Sequence, residues 1–497
     1  MKPSPIPDQL TVTAPWNGEV LTTVPVTDPD EISSLTSRAR IAQQAWQDVP
    51  LAARSRVFRR FADLVLNHCD HILDTIQQES GKARLSAFEE VMDTARGVRV
   101  FANLAPKTLR SARRRGVIPG LTKVVEHRQP VGVVGVITPW NYPFTLPATD
   151  SAAALLAGNA VILKPDSQAP LSAQLLADLF AEAGLPEGLF TVIVGPGSVL
   201  GPRLVEQIDF LMFTGSTATG RKLATACAER LIGFSAELGG KNPALILPDA
   251  NLAAAAIGTA RSAFANTGQL CVSMERVYVH TAVYDDFVSQ LVAATQSLRL
   301  GVGHDWKIDV GSLASAQQLE TVQRHVTDAV AKGATVLAGG KPRPDLGPHF
   351  FEPTILCGVD ESMEVCAEET FGPVLSIYRV ESTQAAIAAA NDSRYGLNAS
   401  IWSKTQGPAV ARRLHSGTVN INDGYAPTFG SHHAPMGGMG ESGIGRRHGQ
   451  AGLLKYTEAQ TVAQQRLLPI APPPGISNET FAKTMSVGIR ILNKLVR

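Results

Sequence analysis

Residues 131–138 read VGVVGVIT and residues 160–165 read AVILKP. Each is a short, continuous apolar run rather than an alternating one. Strands covered on both faces of a parallel sheet carry this pattern, and the nearby glycines and prolines suit the length of a strand. Outward from this pair the chain alternates. A small-residue helix is expected from Asp150 to Ala157. Pro170 opens the helix LSAQLLADLFAEAG, which Gly184 closes. FTVIVG at 190–195 reads as the next strand, followed by a helix and then the strand FLMFTG at 210–215. This rhythm predicts an open parallel α/β sheet, which takes its ligand at the carboxyl ends of its strands.

On the amino-terminal side, Val57, Phe58, Phe61, Leu64 and Val65 recur at helical spacing within a helical layer expected from Asp28 to about Ala105. Residues 108–129 read as a hairpin turning at Pro119-Gly120, with Arg113, Arg114 and Arg115 on a solvated face. On the carboxyl side a second α/β pattern runs from about 240 to 440. It holds a helix from Leu252 to Ala265, the strand ERVYVH, a helix near 283–298, and the strands ATVLAG, FFEPTIL, VLSIYRV, NASIW and TVNIND. After the linker APPPG, Phe481, Met485, Ile489, Leu492 and Val496 fall on one helical face, with Lys483, Arg490, Lys494 and Arg497 around the rest. Such a helix docks on its own oligomer or lies on a membrane surface.

Composition narrows the function. The 497 residues suffice for two or three domains, and 45 basic against 44 acidic residues leave no footprint for nucleic acid. Five cysteines, at 69, 227, 271, 357 and 366, form no CxxC pair, which suggests reduced thiols in a cytoplasmic protein. No Cys/His cluster has zinc spacing, so no metal is expected, and no apolar run is long enough to span a membrane.

Five stretches can carry chemistry. FLMFTG runs into GSTATG, whose Gly215 and Ser216 open a helix that suits a pyrophosphate, although the turn lacks GxGxxG spacing and a tight turn without ligand reads equally well. Lys164 and Ser167 place a cation and a hydroxyl at the same end of the sheet. In TPWNYPF at 138–144 two prolines frame Asn141, whose amide either donates to an oxyanion or closes an Asx turn. Glu237 in ELGGKNP places a carboxylate just before the flexible pair Gly239-Gly240, and alone it reads as a surface or helix-cap residue. Cys271 in NTGQLC is core filling or a nucleophile on a turn.

TPWNYPF, the Lys164-Pro165 loop, FTGSTATG, ELGGKNP, NTGQLC, EETFGPV at 368–374 and PMGGMGESGIGR at 435–446 resemble, in order, the motif series of the aldehyde dehydrogenase superfamily. The 34-residue separation of Glu237 and Cys271 matches it too, and the resemblance spans roughly residues 10–465. LKPDSQAP, GFSAELGGKNP and GRRHG resemble an actinobacterial branch that oxidises succinate semialdehyde with NADP. The resemblance implies a Rossmann-type cofactor domain (1–107 and 130–239), an α/β catalytic domain (240–457), a small β oligomerisation arm (108–129 and 458–467) and an amphipathic tail (468–497). It implies that Cys271 attacks the aldehyde, that its thiol is drawn down by nearby donors, that Asn141 and the Cys271 N–H hold the oxyanion, and that Glu237 activates water. Trp140, Lys164, Ser167, Gly215, Ser216, Leu238, Glu369 and Phe371 would bind the cofactor.

Ser167 stands where many NAD-preferring members carry a glutamate. That exchange removes repulsion of a 2′-phosphate and adds a donor, so NADP is expected to serve at least as well as NAD. The substrate would be a small aldehyde, and the enzyme a homodimer or homotetramer. Thr149 and Ala265 stand where carboxylate-gripping arginines occur in well-understood succinate-semialdehyde dehydrogenases, which leaves Arg261 as a substitute. The alternative is an uncharged aliphatic or aromatic aldehyde. Ser273 replaces the second cysteine of a redox pair. A purely structural or binding role would require loss of Cys271, Glu237 or Asn141, and all three are present.

Overall fold

The computed structural model describes residues 8–117, 121–466 and 469–495. They form two compact units, one of residues 8–109 with 130–458 and the other of 110–129 with 459–495. The larger unit holds two main sheets. In the first, six strands run in the order Gly443–Ile444, Gly233–Glu237, Phe210–Thr214, Val133–Ile137, Ala160–Lys164 and Phe190–Val192. All neighbours are parallel except Gly443–Ile444, which runs antiparallel to Gly233–Glu237. Phe210–Thr214 and Ala160–Lys164 flank Val133–Ile137 on opposite sides, so the strand order reverses there. A crevice at the carboxyl ends is the result.

The second sheet has seven strands, in the order Thr335–Ala338, Thr354–Cys357, Val374–Val380, Met274–His280, Asn242–Ile246, Asn398–Trp402 and Thr418–Ile421. Only Thr335–Ala338 is antiparallel to its neighbour. The chain leaves the first sheet at the carboxyl end of Gly233–Glu237 and enters the second, five residues on, at the amino end of Asn242–Ile246. The second sheet therefore meets the crevice with its amino ends, contrary to the rule expected for such sheets.

Both sheets are packed as their apolar runs predict. Val133, Val134, Val136 and the whole of Ala160–Lys164 are buried, and the helical layer lays Phe58, Phe61, Val65 and Phe101 on the same core. The helix Pro170–Glu182 ends before Gly184, whose φ of 93° only glycine adopts freely. The helix read as Asp150 to Ala157 instead spans Thr145–Leu156. Its early start has a tertiary cause: Glu90, on another helix, accepts from the N–H groups of Phe144 and Thr145 at 3.0 and 3.1 Å. FTVIVG forms ladder pairs only over Phe190–Val192.

In the smaller unit, Ala112–Arg114 pairs antiparallel with Thr122–Pro130, which also neighbours Thr457–Gln465. The Pro119-Gly120 turn lies outside the described residues. Arg113, Arg114 and Arg115 are exposed, and Arg114 pairs with Glu126 at 2.7 Å. The tail helix covers Asn478–Leu495. Phe481 and Met485 are half-buried and Ile489 is exposed, while the Leu492 side chain, Val496 and Arg497 lie outside the description. Among the described residues no helix is long and apolar enough to cross a membrane.

Candidate active site

Cys271 sits between the short turn Ala265–Gly268 and the strand Met274–His280. Three successive residues of that turn, Asn266, Thr267 and Gly268, have left-handed φ values of 50°, 59° and 71°. Two of them are not glycine, and each such residue costs about 1–3 kcal/mol unless its surroundings hold it. Here Ser86 Oγ accepts from the Asn266 N–H, Thr267 Oγ1 donates to Gly311 O, and Gln269 Oε1 accepts from the Ala314 N–H. A Cβ on Gly268 would fall 2.1 Å from Gly372 O, so only glycine fits. The turn thus presents a partly exposed Cys271 to a cleft of about 270 Å³.

Asn141 and Glu237 line the same cleft. Asn141 Nδ2 donates to Gln269 O at 2.9 Å, far along the chain, so its side chain closes no local Asx turn. One N–H of the amide remains. The backbone oxygen of Asn141 accepts from Lys82 Nζ at 2.6 Å and Asn266 Nδ2 at 3.1 Å, and Lys82 is itself paired with buried Glu90. Glu237 is neither a surface residue nor a helix cap. It is buried at the end of its strand, and its Oε1 finds no partner among the described residues. Burial pushes its carboxyl up to about 7, against the pull of Arg447, Lys455 and Arg446.

The thiol departs from expectation. Burial pushes Cys271 up to about 12; Arg447 draws it down, while Glu237 and Glu369 push it further up. Low dielectric and two carboxylates outweigh one guanidinium. Ser273 is buried and donates to the carbonyls of Ser262 and Ala263. The other four cysteines are also free thiols.

Of the expected cofactor residues, Trp140, Gly215, Ser216, Leu238, Glu369 and Phe371 line the cleft with Cys271. Ser216 caps the helix Thr217–Glu229, and its side chain accepts from the Thr219 N–H. Glu369 Oε1 accepts from the Gly240 N–H at 2.9 Å, and a Cβ on Gly239 would meet Glu369 Oε2 at 2.2 Å. Burial and neighbouring Glu275 push Glu369 up to about 8. The Phe371 ring stands edge-to-face with Trp140, centroids 5.6 Å apart. Phe371 has a φ of 51°, and the buried Glu275 accepts from its N–H and that of Thr370 while pairing with Lys241.

Lys164 and Ser167 stand apart from this cleft, at the carboxyl end of Ala160–Lys164. The ammonium of buried Lys164 makes no hydrogen bond among the described residues, and burial lowers it. Ser167 Oγ already donates to Gly195 O at 2.9 Å. Its proton is therefore engaged, which corrects the expectation that it is free to donate to a 2′-phosphate.

Thr149 is buried and donates to Thr145 O. Arg261 and Ala265 line a different cavity, of about 570 Å³, and Arg261 pairs there with Glu89, which also accepts from Tyr425 OH. Arg261 is thus no free carboxylate clamp for the Cys271 cleft. Beside Cys271 the wall is apolar, formed by Tyr142, Leu146, Leu270, Phe429 and Met436. The cleft has one cation that sequence reading passed over. Arg447 donates to Asp150 Oδ2 at 2.5 Å and to Thr214 Oγ1 at 2.8 Å. Its motif was visible, but nothing local in GRRHG says that its side chain returns to Glu237. Among the described residues no group of three His, Cys, Asp or Glu could hold a metal ion.

The Aldehyde dehydrogenase family matches residues 3–462. A candidate NADP(+) succinate-semialdehyde dehydrogenase of Mycolicibacterium smegmatis is 53% identical over 482 residues, covering 97% of this chain and 93% of that protein. A 4,4'-diapolycopene aldehyde oxidase of a Methylomonas species is 37% identical over 89% of this chain and 83% of its own length. Among solved structures, an E. coli NADP dependent enzyme is 34% identical with a TM-score of 0.88, covering 92% of this chain and 95% of that one. A 3,6-anhydro-L-galactose dehydrogenase in complex with NAP is 33% identical with a TM-score of 0.86, covering 92% and 96%. The chain belongs to the aldehyde dehydrogenase family, whose members oxidise aldehydes.

Proposed function

We propose that this protein oxidises an aldehyde to the carboxylic acid with NADP+, through a thioester on Cys271. The observation that carries the reading is the convergence of Cys271, Glu237 and Asn141, remote in sequence, on one cleft. Cys271 Sγ attacks the aldehyde carbon. The oxyanion is held by the remaining N–H of the Asn141 amide and by the Cys271 backbone N–H, which donates to no other described residue. Glu237 then takes a proton from the water that releases the acid.

The residues fit a dinucleotide. The helix Thr217–Glu229 opens into the cleft through Gly215 and Ser216, and buried Lys164 has a charge that no described group hydrogen-bonds. Trp140, Leu238, Glu369 and Phe371 would border the nicotinamide half, with Lys164 and Ser167 near the adenosine half. Bound NADP+ supplies the hydride acceptor for forming the thioester. The preference for NADP over NAD rests on Lys164, on the absence of a carboxylate at Ser167, and on the NADP in the relatives' names.

The names of the mycobacterial relatives favour succinate semialdehyde as substrate. A second reading, an uncharged aliphatic or aromatic aldehyde, is favoured by the apolar wall and by Arg447 being already paired with Asp150. A panel of succinate semialdehyde, butanal and benzaldehyde with each cofactor separates them: a higher kcat/KM for butanal than for succinate semialdehyde overturns the first. Cys271→Ala should abolish oxidation and leave NADP+ binding, read by fluorescence, intact. In the same reading, residues 1–107 with 130–239 form the cofactor domain and 240–457 the catalytic domain of a cytoplasmic enzyme. Residues 108–129 and 458–467 then form an arm that pairs into a homodimer or homotetramer, and residues 468–497 form an amphipathic tail.

A further inference from the structure

Arg447 is placed by a closed loop. Its N–H donates to Met436 O at 2.6 Å and its carbonyl accepts from the Met436 N–H at 2.8 Å, so residues 436–447 fold back on themselves. Within that loop Gly443–Ile444 pairs with Ala236 and Glu237. The pairing brings Arg447 into the lining of the cleft that Cys271 and Glu237 share. Asp150 and Thr214 hold one end of the guanidinium, and its buried Nε finds no partner among the described residues. Glu237 Oε1, buried in the same cleft, is likewise without a partner.

We propose that Arg447, clamped by Asp150, is a positioning residue that stabilises the anionic form of Cys271 and of Glu237 in turn. The inference rests on those two being the nucleophile and the base. Two neighbouring anions repel, so one cation in this cleft supports one anion at a time. Before attack the charge opposite Arg447 lies on the Glu237 carboxylate and Cys271 is a thiol. When the proton leaves Sγ for a Glu237 oxygen, directly or through water, the charge passes to the thiolate and Glu237 becomes neutral. Net charge beside Arg447 is unchanged, which keeps the transfer inexpensive in a poorly hydrated site.

The charged groups around the pair set the sign of the test. Around Glu237 stand Arg447, Lys455, Arg446 and Asp150, and around Cys271 stand Arg447, Glu237 and Glu369. Burial works against the Arg447 charge, but Asp150 and Glu237 outweigh it, with Tyr456 adding to them. Burial also lowers Lys455, to about 8, although Asp150 opposes this. Removing Arg447 must therefore raise both Cys271 and Glu237. Removing the Asp150 charge frees more of the Arg447 field and must lower both.

The experiment measures alkylation of Cys271 by iodoacetamide, followed on its peptide by mass spectrometry across pH, beside the pH profile of kcat/KM. Arg447→Met should slow alkylation at neutral pH by about tenfold or more, one pKa unit or more, and move the acid limb of kcat/KM upward. Arg447→Lys should recover most of both effects. Asp150→Asn should move both readings in the opposite direction. Melting temperatures identify any variant that fails to fold, in which case Arg447→Lys against Asp150→Asn decides. Arg447→Met with wild-type alkylation and limb, or Asp150→Asn shifted in the same direction as Arg447→Met, overturns the proposal. Full oxidation by Cys271→Ala would instead overturn the proposed function, and alkylation of Cys271 would still report on Arg447.

Discussion

The two walls of the cleft around Cys271 are built on opposite ends of parallel strands. The six-stranded sheet reaches it through carboxyl ends, where Trp140, Asn141, Gly215, Ser216 and Glu237 sit. The seven-stranded sheet reaches it through amino ends, where Cys271, Glu369 and Phe371 precede their strands. The first wall uses what regular structure provides at strand ends, above all the free N–H groups of a helix start. The second is held differently. It relies on left-handed residues at 266, 267, 268 and 371 and on buried charge to hold its turns. The first wall is assembled from standard parts, whereas presenting Cys271 required strained backbone locked by tertiary contacts.

That contrast can be broken most severely at Glu275. Glu275→Gln strips the counter-ion from buried Lys241 and weakens the anchor of Thr370 and Phe371. A loss of about 3–5 kcal/mol is expected, read by denaturant unfolding. Asn141→Ala on the opposite wall should leave stability closer to wild type but lower kcat by about 10²–10³, read by steady-state kinetics. The pH profile comes next. Glu237 must be ionised to act as a base, and burial raises its carboxyl to about 7. Below that pH, kcat/KM should fall about tenfold per unit, and above it the acid limb should be flat. An acid limb near the ordinary carboxylate range would remove Glu237 from the role. The smallest effect belongs to Ser216→Ala, which deletes only a helix cap and should cost about 0.5–2 kcal/mol of stability. If Ser216→Ala destabilised as much as Glu275→Gln, the distinction between a regular wall and a locked wall would fail.

Much of the first wall was legible in the residues. Buried apolar runs, a proline-opened helix and a glycine stop are local signals, and they gave the parallel sheet with its ligand end at the carboxyl ends of the strands. Asn141, Glu237 and Cys271 stood out in their motifs. Less was legible wherever a distant group controls a residue. Glu90 starts the helix at Thr145 from another element, Gly195 occupies the Ser167 hydroxyl, and Glu89 occupies Arg261.

By itself the sequence determined most of the strands and helices, the parallel character of the first sheet, the α/β pattern of the second, and the residue types in each motif. Periodicity and chain punctuation act over a few residues, so they can be read from one end to the other. Only the tertiary structure decided that the second sheet offers its amino ends, that Cys271 is pushed up to about 12, and that Arg447 lines the same cleft as Cys271 and Glu237. Those outcomes depend on burial and on charges brought together from remote positions, and a side chain's surroundings exist only once the chain has closed around it.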